Sequence, residues 1–356
     1  MTGKGRKRSK GAVPTIRDVA ALAKVSTATV SHVVNETGRA GARTRDRVTA
    51  AIVELGYRPN ANAASLRSRR SRIVGLVVPS ITNTFFAQMA SEFERLAMES
   101  GYDIAIVTSN EDQEREDERI QALMFRQIDG LIVYPSSDFG IGKGLQHADL
   151  PPTVIMDRGL GLSDFDTVGL NNVQAGETVA GHLLDQGHRR FTVVVPNLEL
   201  AASSDRARGI ETALKAFKGA TKLRVIAGGH TIEGARNALE QDLHRDDRPT
   251  AIVATTNVAT LGAIKAIQAL QLAMPQDVSL VGFDDFEWMT ALRPYVTAMG
   301  QPTRELASAA WKLLLDRIAT PAPLENRAQH VIFDGKFTIR ESSGRVRSPD
   351  EPKEMT

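Results

Sequence analysis

Between Arg72 and Asp284 the chain repeats one pattern, in which a short, unbroken apolar run is followed by a stretch with helical spacing or a loop. IVGLVVP (73–79), DIAIVTS (103–109), GLIVYP (130–135) and TVIMD (153–157) form a first series of such runs. FTVVVP (191–196), RVIAG (224–228), AIVATT (251–256) and VSLVGFD (278–284) form a second. Residues 85–98 and 112–126 have helical spacing between the early runs. A run without polar alternation suits a strand covered on both faces, which means a parallel sheet flanked by helices. Eight such strands are too many for one small sheet, so the pattern predicts an α/β domain of two doubly wound parallel-sheet subdomains. Ligands of such sheets bind beyond the carboxyl ends of the strands. Those ends carry Ser80, Asn83, Asp157 with Arg158, the loop before Arg206, Thr256 with Asn257, and Asp284 with Asp285.

Residues 15–66 follow a different rule and read as an all-α head. Thr15 suits an N-cap with Asp18 closing a capping box, and Ile16, Val19, Ala20 and Ala23 fall on one helical face. Only Ala23-Lys24-Val25-Ser26 separates this helix from a second one capped by Ser26, which is the tight spacing of a helix-turn-helix. With Val30, Val33 and Val34 turned inward, Thr27, Ala28, Ser31 and His32 face out, where a recognition helix meets base edges. A third helix is expected to be capped by Thr44, to bury Val48, Ala51, Ile52 and Leu55, and to end at Gly56 with Pro59 blocking continuation. Asn60 can cap a short alanine-rich helix reaching Leu66, too brief to be stable alone and expected to fold on DNA as two copies pack together.

Charge supports the division. Residues 1–71 hold 15 Lys and Arg against 4 Asp and Glu, a net of +11, whereas the remaining 285 residues hold 29 against 38, a net of −9. A basic head on an acidic body is the footprint of a polyanion-binding module joined to something else. Residues 1–13 read as a disordered basic arm with no apolar stretch after it, unlike a secretory signal. No apolar run approaches the roughly 20 residues needed to span a bilayer, and cysteine is absent, so a cytoplasmic protein without disulfides or thiolate metal sites is expected. The seven histidines lack metal-ligand spacing. GIGKG (140–144) has neither Walker nor dinucleotide spacing and reads as a surface loop. NEDQEREDERIQ (110–121) reads as a solvated helix face, and GHRR (187–190) as an ordinary helix-to-strand turn. No enzyme, metal or cofactor is expected.

The head resembles the DNA-binding unit of the lactose-repressor (LacI/GalR) family, through its T-[IL]-x-D-V-A opening, its V-S-x-x-T-V-S turn and helix, and its x-Y-x-P-N exit. Its reading helix is similar to the purine-repressor branch. VVPSITNTFFAQM, QIDGLIVYP, IMDRG, DQGHRR, DRARG, PQDVSLVGFDD and VTAMGQP extend the resemblance over residues 15–340 and match the family's periplasmic-binding-protein-like effector domain. The resemblance implies base-reading positions at Thr27, Ala28 and His32, and phosphate contacts from Ser26, Thr29, Ser31, Asn35 and Tyr57. Thr15, Asn60, Ala63 and Leu66 complete the DNA-binding set, Leu66 as a wedge in the minor groove at the operator's centre, with Arg67, Arg69, Arg70 and Arg72 beside phosphates. For the effector it implies Asn83, Phe85, Arg158, Arg206, Thr256, Asn257 and Asp284. Phe85 is favoured over Phe86 for the cleft, and an ion pair between Arg206 and Asp284 is the competing arrangement for those two.

The sequence also departs from the family pattern. His32 and Ala64 stand where relatives often carry Arg, Thr256-Asn257 replaces a frequent Asn-Asp pair, and Gly228-Gly229-His230 falls where an aromatic wall is expected. The organisation read from these features is an arm (1–13), a helix-turn-helix domain (14–59), a hinge helix (60–71), an effector-binding and dimerisation domain (72–340) and a flexible tail (341–356). The resemblance implies a homodimeric regulator, most simply a repressor, that binds double-stranded palindromic operator DNA under control of a small effector. That effector is a sugar or sugar derivative, or else a nucleobase-like molecule. The tail has no leucine heptads, so a dimer rather than a coiled-coil tetramer is expected. A solute-binding module with a vestigial head is the alternative, disfavoured by the intact Leu66 segment and the missing signal peptide.

Overall fold

The computed structural model describes residues 14–34, 40–57, 70–137, 141, 149–158, 164–291, 293–320 and 328–346. The basic arm, Asn35, the segment carrying Pro59, Asn60, Ala63, Ala64, Leu66, Arg67 and Arg69, most of the GIGKG loop, and the tail beyond residue 346 lie outside them. The chain divides into two units, residues 1–71 and 72–356. Among the described residues, no helix is long and apolar enough to cross a membrane.

The first unit is a three-helix cluster, α1 (Ile16–Ala23), α2 (Thr27–Val34) and α3 (Ala42–Leu55). The Asp18 carboxylate accepts both the backbone N–H and the hydroxyl of Thr15, each at 2.8 Å, which fixes the start of α1. Lys24 ends α1 in the left-handed region at φ 53°, and the Ser26 hydroxyl accepts the Thr29 N–H at 3.1 Å to open α2. Val19, Val30 and Val48 are fully buried between the helices, with Ala20, Ala23 and Ala51 around them and Ile16, Val33, Val34, Ile52, Leu55 and Tyr57 packed outside. The expected Thr44 cap is not used. Gly41 takes the N-cap and Thr44 lies within the first turn, donating its N–H to Gly41 O at 2.9 Å. Ala42 and Arg43 are good helix formers, so the helix runs back until glycine stops it.

The second unit holds two six-stranded sheets. The first comprises β1 (Ile73–Val78), β2 (Asp103–Thr108), β3 (Gly130–Val133), β4 (Thr153–Met156), β5 (Asp166–Leu170) and β11 (His330–Phe333), in the order β11-β5-β4-β3-β1-β2. All its strands pair in parallel. The second comprises β6 (Arg190–Val195), β7 (Lys222–Ala227), β8 (Ala251–Ala254), β9 (Ser279–Phe283), β10 (Thr297–Gly300) and β12 (Lys336–Thr338), in the order β12-β10-β9-β8-β6-β7. Only the β12–β10 pair is antiparallel. The sheets are flanked by α4 (Thr84–Ser100), α5 (Gln113–Phe125), α6 (Asn172–Asp185), α7 (Ala201–Ala216), α8 (Ile232–Leu243), α9 (Asn257–Ala269) and α10 (Thr303–Ala319).

The chain crosses between the lobes three times, at Asn171, at Gln301-Pro302 and at Asp334-Gly335. α10 therefore follows a strand of the second sheet but buries Leu306, Trp311 and Leu314 against the first, in one core with Leu76, Phe93 and Ile132. Asn171 ties two of the crossings together, with its N–H donating to Phe333 O at 2.8 Å and its side chain to Asp334 at 3.0 Å.

One expectation is corrected in the second lobe and another is extended. GHRR is the expected turn from α6 into β6, and its His188 is buried, only 1% exposed. Its Nε2 lies 3.0 Å from both Ser279 Oγ and Gly344 O, and its Nδ1 lies 3.1 Å from Thr250 Oγ1. The segment after Arg340 does not begin a loose tail. The hydroxyl of buried Ser342 donates to Leu280 O at 2.6 Å and accepts the Thr297 N–H at 2.9 Å, and Ser343 Oγ lies 2.8 Å from Thr297 Oγ1. Small polar residues read as a tail, yet their hydroxyls satisfy backbone groups beside β9 and β10.

Burial pushes the His188 imidazole down to about 4, so it stays neutral where an unfolded histidine takes up a proton. Stability that is complete above about pH 6.5 is therefore lost as pH falls towards 4. Wild type should exceed His188→Asn by up to about 2 kcal/mol more at pH 7 than at pH 5 in urea unfolding. An equal gap at both pH values would remove the imidazole from the acid response.

Candidate functional site

In the first unit, Thr27, Ala28 and His32 lie exposed on α2, whose Val30 is buried. Thr29 and Ser31 are half-buried, and the exposed Ser26 hydroxyl lies 2.9 Å from that of Thr29. Thr15 is exposed at the start of α1, and Tyr57 is half-buried against the three-helix core. Arg43, Arg45 and Arg47 are exposed on α3. The unit thus exposes short polar and imidazole side chains on α2 and, on α3, cations of a kind that suits a phosphate backbone.

In the second unit, the strand ends of the two lobes face each other across a cavity of about 510 Å³, a size suited to a small molecule. Asn83, Phe85, Arg158, Arg206, Thr256 and Asp284 all line it. Two of them are fixed by capping: the Asn83 side-chain Oδ1 accepts the Phe85 N–H at 3.0 Å at the start of α4, and the Thr256 hydroxyl accepts the Ala259 N–H at 3.1 Å at the start of α9. Asn257 does not line the cavity. It is buried as the first residue of α9, and its Nδ2 donates to Asn83 Oδ1 at 2.8 Å and to Asp284 Oδ2 at 3.1 Å. It links the lobes behind the cavity wall. Phe85 and Phe86 do not divide into one cleft residue and one core residue. Both are buried, both line the cavity, and they meet edge-to-face at 5.3 Å with Tyr134 completing the cluster.

Arg206 and Asp284 do not pair with each other. Arg206 donates from Nε to Asn172 Oδ1 at 2.8 Å and from Nη1 to Thr255 O at 2.5 Å, and its guanidinium lies 4.6 Å from the centre of the Phe283 ring. Asp284 accepts from the Asn257 N–H at 3.2 Å and from Gln301 Nε2 at 2.7 Å. Asp284 stands at φ 64°, and Asn110, Glu111 and Asp157 also have positive φ. Half of the eight non-glycine residues described with left-handed backbones thus line this cavity. Such a backbone is unfavourable by about 1–2 kcal/mol for a residue such as Glu111, less so for Asn and Asp, and clusters where side chains must be aimed.

The sequence reading missed Glu111. Its carboxylate takes a bidentate ion pair from Arg158, at 2.5 Å from Nη1 and 3.0 Å from Nη2, and lies 3.2 Å from His230 Nδ1. Arg158 also donates to Pro135 O at 3.1 Å. Burial alone would raise the Glu111 carboxyl, but hydrogen bonds from His230 and Arg158 outweigh it and hold the group at about 2. His230, which falls where an aromatic wall is expected, is therefore part of the cleft. The rest of the acidic run is solvated only in part, with Asp112, Glu114 and Glu118 exposed. Glu116 is fully buried and Asp117 nearly so, on the same face of α5 as Ile120 and Leu123. Burial pushes Glu116 up to about 7 even though it accepts the Ser136 N–H at 2.6 Å. Counting back from Ile120 and Leu123 by three and four residues would have found both carboxylates. Among the described residues, no cluster of three or more His, Asp or Glu side chains could hold a metal ion.

Comparison with known proteins gives matches along nearly the whole chain. Residues 15–60 match the model for bacterial regulatory proteins of the lacI family, and residues 180–343 match a periplasmic binding protein-like domain. The ribose operon repressor of Haemophilus influenzae is 33% identical over 329 residues, covering 92% of this chain and 98% of the relative. The HTH-type transcriptional repressor PurR of Klebsiella pneumoniae is 34% identical over 310 residues, covering 85% and 90%. Among solved structures, the lac repressor dimer bound to operator and the anti-inducer ONPF superposes with a TM-score of 0.80 at 22% identity, covering 94% of this chain and all of that one.

Proposed function

The chain belongs to the lacI family of bacterial regulatory proteins, and from that premise we propose that it is a cytoplasmic repressor that binds a palindromic operator as a homodimer. Residues 14–59 are its DNA-binding domain, 60–71 its hinge and the remainder its effector-binding and dimerisation domain. Thr27, Ala28 and His32 read bases. Thr15, Ser26, Thr29, Ser31, Asn35 and Tyr57 hold the backbone, and Asn60, Ala63 and Leu66 enter the minor groove. The observation that carries the effector half is the cleft itself, where Arg206 and Asp284 present hydrogen-bonding groups from the second lobe opposite the aromatic cluster of the first. A sugar or sugar derivative, with hydroxyls for the polar groups and an apolar ring face for Phe85, suits that lining. The effector acts by favouring one arrangement of the two lobes, and the difference in its affinity for the two arrangements sets the change in operator affinity.

Selection from random duplex DNA, followed by gel shift with and without a panel of sugars, tests this. D-ribose heads the panel because relatives are named ribose operon repressors. A selected palindrome whose occupancy changes with one sugar is the expected outcome. Binding no tighter than to arbitrary duplex would remove the repressor reading. His32→Ala is expected to alter the selected half-site at one position, weakening the preferred sequence by about 1–3 kcal/mol. An unchanged consensus would make His32 a phosphate contact instead.

A further inference from the structure

We propose that Glu111 makes the cleft refuse anions: by occupying Arg158 it reserves the site for an uncharged polyol and excludes sugar phosphates and sugar acids. This rests on the cleft being the effector site and specifies what that site accepts. The charged residues described around the cavity are three carboxylates, Glu111, Asp157 and Asp284, against Arg158, Arg206 and His230. An arginine at the mouth of a sugar-sized cavity would ordinarily invite a phosphate or carboxylate, because its planar fork matches either one. Here that fork is already filled. Both terminal nitrogens of Arg158 lie on the Glu111 carboxylate, one of them also donates to Pro135 O, and the side chain is only 8% exposed.

Arg206 is then the one guanidinium without a carboxylate partner among the described cleft residues. With Nε on Asn172 and Nη1 on the Thr255 carbonyl, it can offer a ligand Nη2 but not the two-nitrogen fork that matches an anion. An entering anion therefore faces three carboxylates and must displace one of them to reach Arg158. A neutral hydroxyl meets no such barrier and can donate to the same carboxylates. The backbone is consistent with a dedicated role for Glu111, since Asn110 and Glu111 are consecutive left-handed residues, at φ 55° and 58°. Two unfavourable conformations in a row aim this carboxylate inward from a run whose neighbours would otherwise place it in solvent.

The test uses the full-length chain, with inorganic phosphate as a probe that does not depend on knowing the effector. Melting is followed against phosphate at ionic strength held constant with sodium chloride. Wild type is expected to gain no saturable protection from the cleft. Glu111→Gln, which keeps the side chain's shape and a hydrogen-bond acceptor, should bind phosphate at least about tenfold tighter by removing a charge a few ångströms away. Glu111→Gln combined with Arg158→Gln should return to the wild-type response, which separates the cleft from any phosphate taken up by the basic head. A gain that persists in the double variant, or none in the single one, overturns the proposal.

Wild type alone supplies a second reading, with D-ribose against D-ribose 5-phosphate and D-glucose against D-glucose 6-phosphate. Saturable protection by a phosphate ester that exceeds its parent sugar and is lost in Arg158→Gln also overturns the proposal, whatever the variants at position 111 do. If no sugar shifts wild type while Glu111→Gln still gains phosphate, the effector reading fails and anion exclusion stands. If a sugar releases the operator but Glu111→Gln gains nothing, the effector reading stands and anion exclusion fails.

Discussion

Gly209→Ala is expected to destabilise the second unit by about 3–5 kcal/mol and to displace the arginine of the cleft. The helices α6 and α7 cross backbone on backbone. A Cβ at Gly209 would lie 2.0 Å from Val173 O and 2.8 Å from the Val173 carbonyl carbon, and one at Gly176 would lie 2.3 Å from Arg206 O. None of these is the end of a flexible side chain, so no rotamer change relieves them. The helices must separate by about an ångström, and dense cores lose dispersion contacts steeply on such a change. The same separation moves Arg206, three residues from Gly209 on α7, away from Asn172 at the start of α6.

For a domain of this size the loss corresponds to a fall in melting temperature of about 10 °C, accompanied by weaker effector binding. Gly181→Ala on the same α6 is the matched control. Nothing lies within 4 Å of its added Cβ, and alanine is the better helix former, so it should be neutral or stabilising by up to about 1 kcal/mol. Thermal unfolding of both variants decides the matter. Should Gly209→Ala melt within a degree of wild type, the close helix crossing is not what holds Arg206.

That coupling was partly legible in the sequence. DRARG puts an arginine and a glycine three residues apart, on one side of a helix, although which neighbour requires the glycine is decided by α6, some thirty residues earlier. The strands that were read correctly are those written as continuous apolar runs, including the edge strands β2 and β7, whose residues are not fully buried. β5 was not read because DTVGL carries Asp166 and Thr167, both fully buried. The partners that permit this come from the far end of the chain. Arg317 forms a bidentate ion pair with Asp166 at 2.7 and 2.8 Å, and His330 Nδ1 lies 2.8 Å from Thr167 Oγ1. No local pattern announces a buried charge whose partner is about 150 residues away.

The cleft shows the same limit. Looking beyond strand ends located Asn83, Arg158, Thr256 and Asp284, because the fold puts every such end on one rim. It did not single out Glu111, which precedes α5 and so lies outside the helical count that reaches Glu116 and Asp117. Two left-handed residues and an arginine 47 positions later decide its placement. It also placed Asn257 beside Thr256 in the cavity, whereas entry into α9 buries it and turns its amide towards Asn83 and Asp284.

Arg206→Ala should lower the affinity for the effector by about 100-fold or more while leaving operator binding without effector unchanged. Two guanidinium nitrogens, Nε and Nη1, are held by the protein, and Nη2 has no hydrogen-bond partner among the described residues although Arg206 lines the cavity. The protein contacts therefore orient a guanidinium whose remaining nitrogen is left for a ligand. Hydrogen bonds from a charged donor contribute about 1.5–3 kcal/mol each, so losing one or two gives the stated change. The substitution also leaves Asn172 Oδ1 and the Thr255 carbonyl without their arginine, beside an Asn172 Nδ2 that already has no partner among the described residues. A stability loss of about 2 kcal/mol is expected from that, smaller than at Gly209.

Arg206→Lys keeps the charge but not the fork, and a lysine cannot satisfy Asn172, Thr255 and a ligand together, so it should lose nearly as much affinity as alanine. The helical unit has its own core around Val19, Val30 and Val48, which neither change touches, so the operator-bound fraction should be that of wild type until effector is added. Release of operator by the Arg206→Ala variant at the wild-type effector concentration would mean that the ligand is held elsewhere in the cleft. If instead the lysine variant keeps full response, positive charge alone is what the effector needs from this position, and the hydrogen-bonded fork is a feature of folding rather than of recognition.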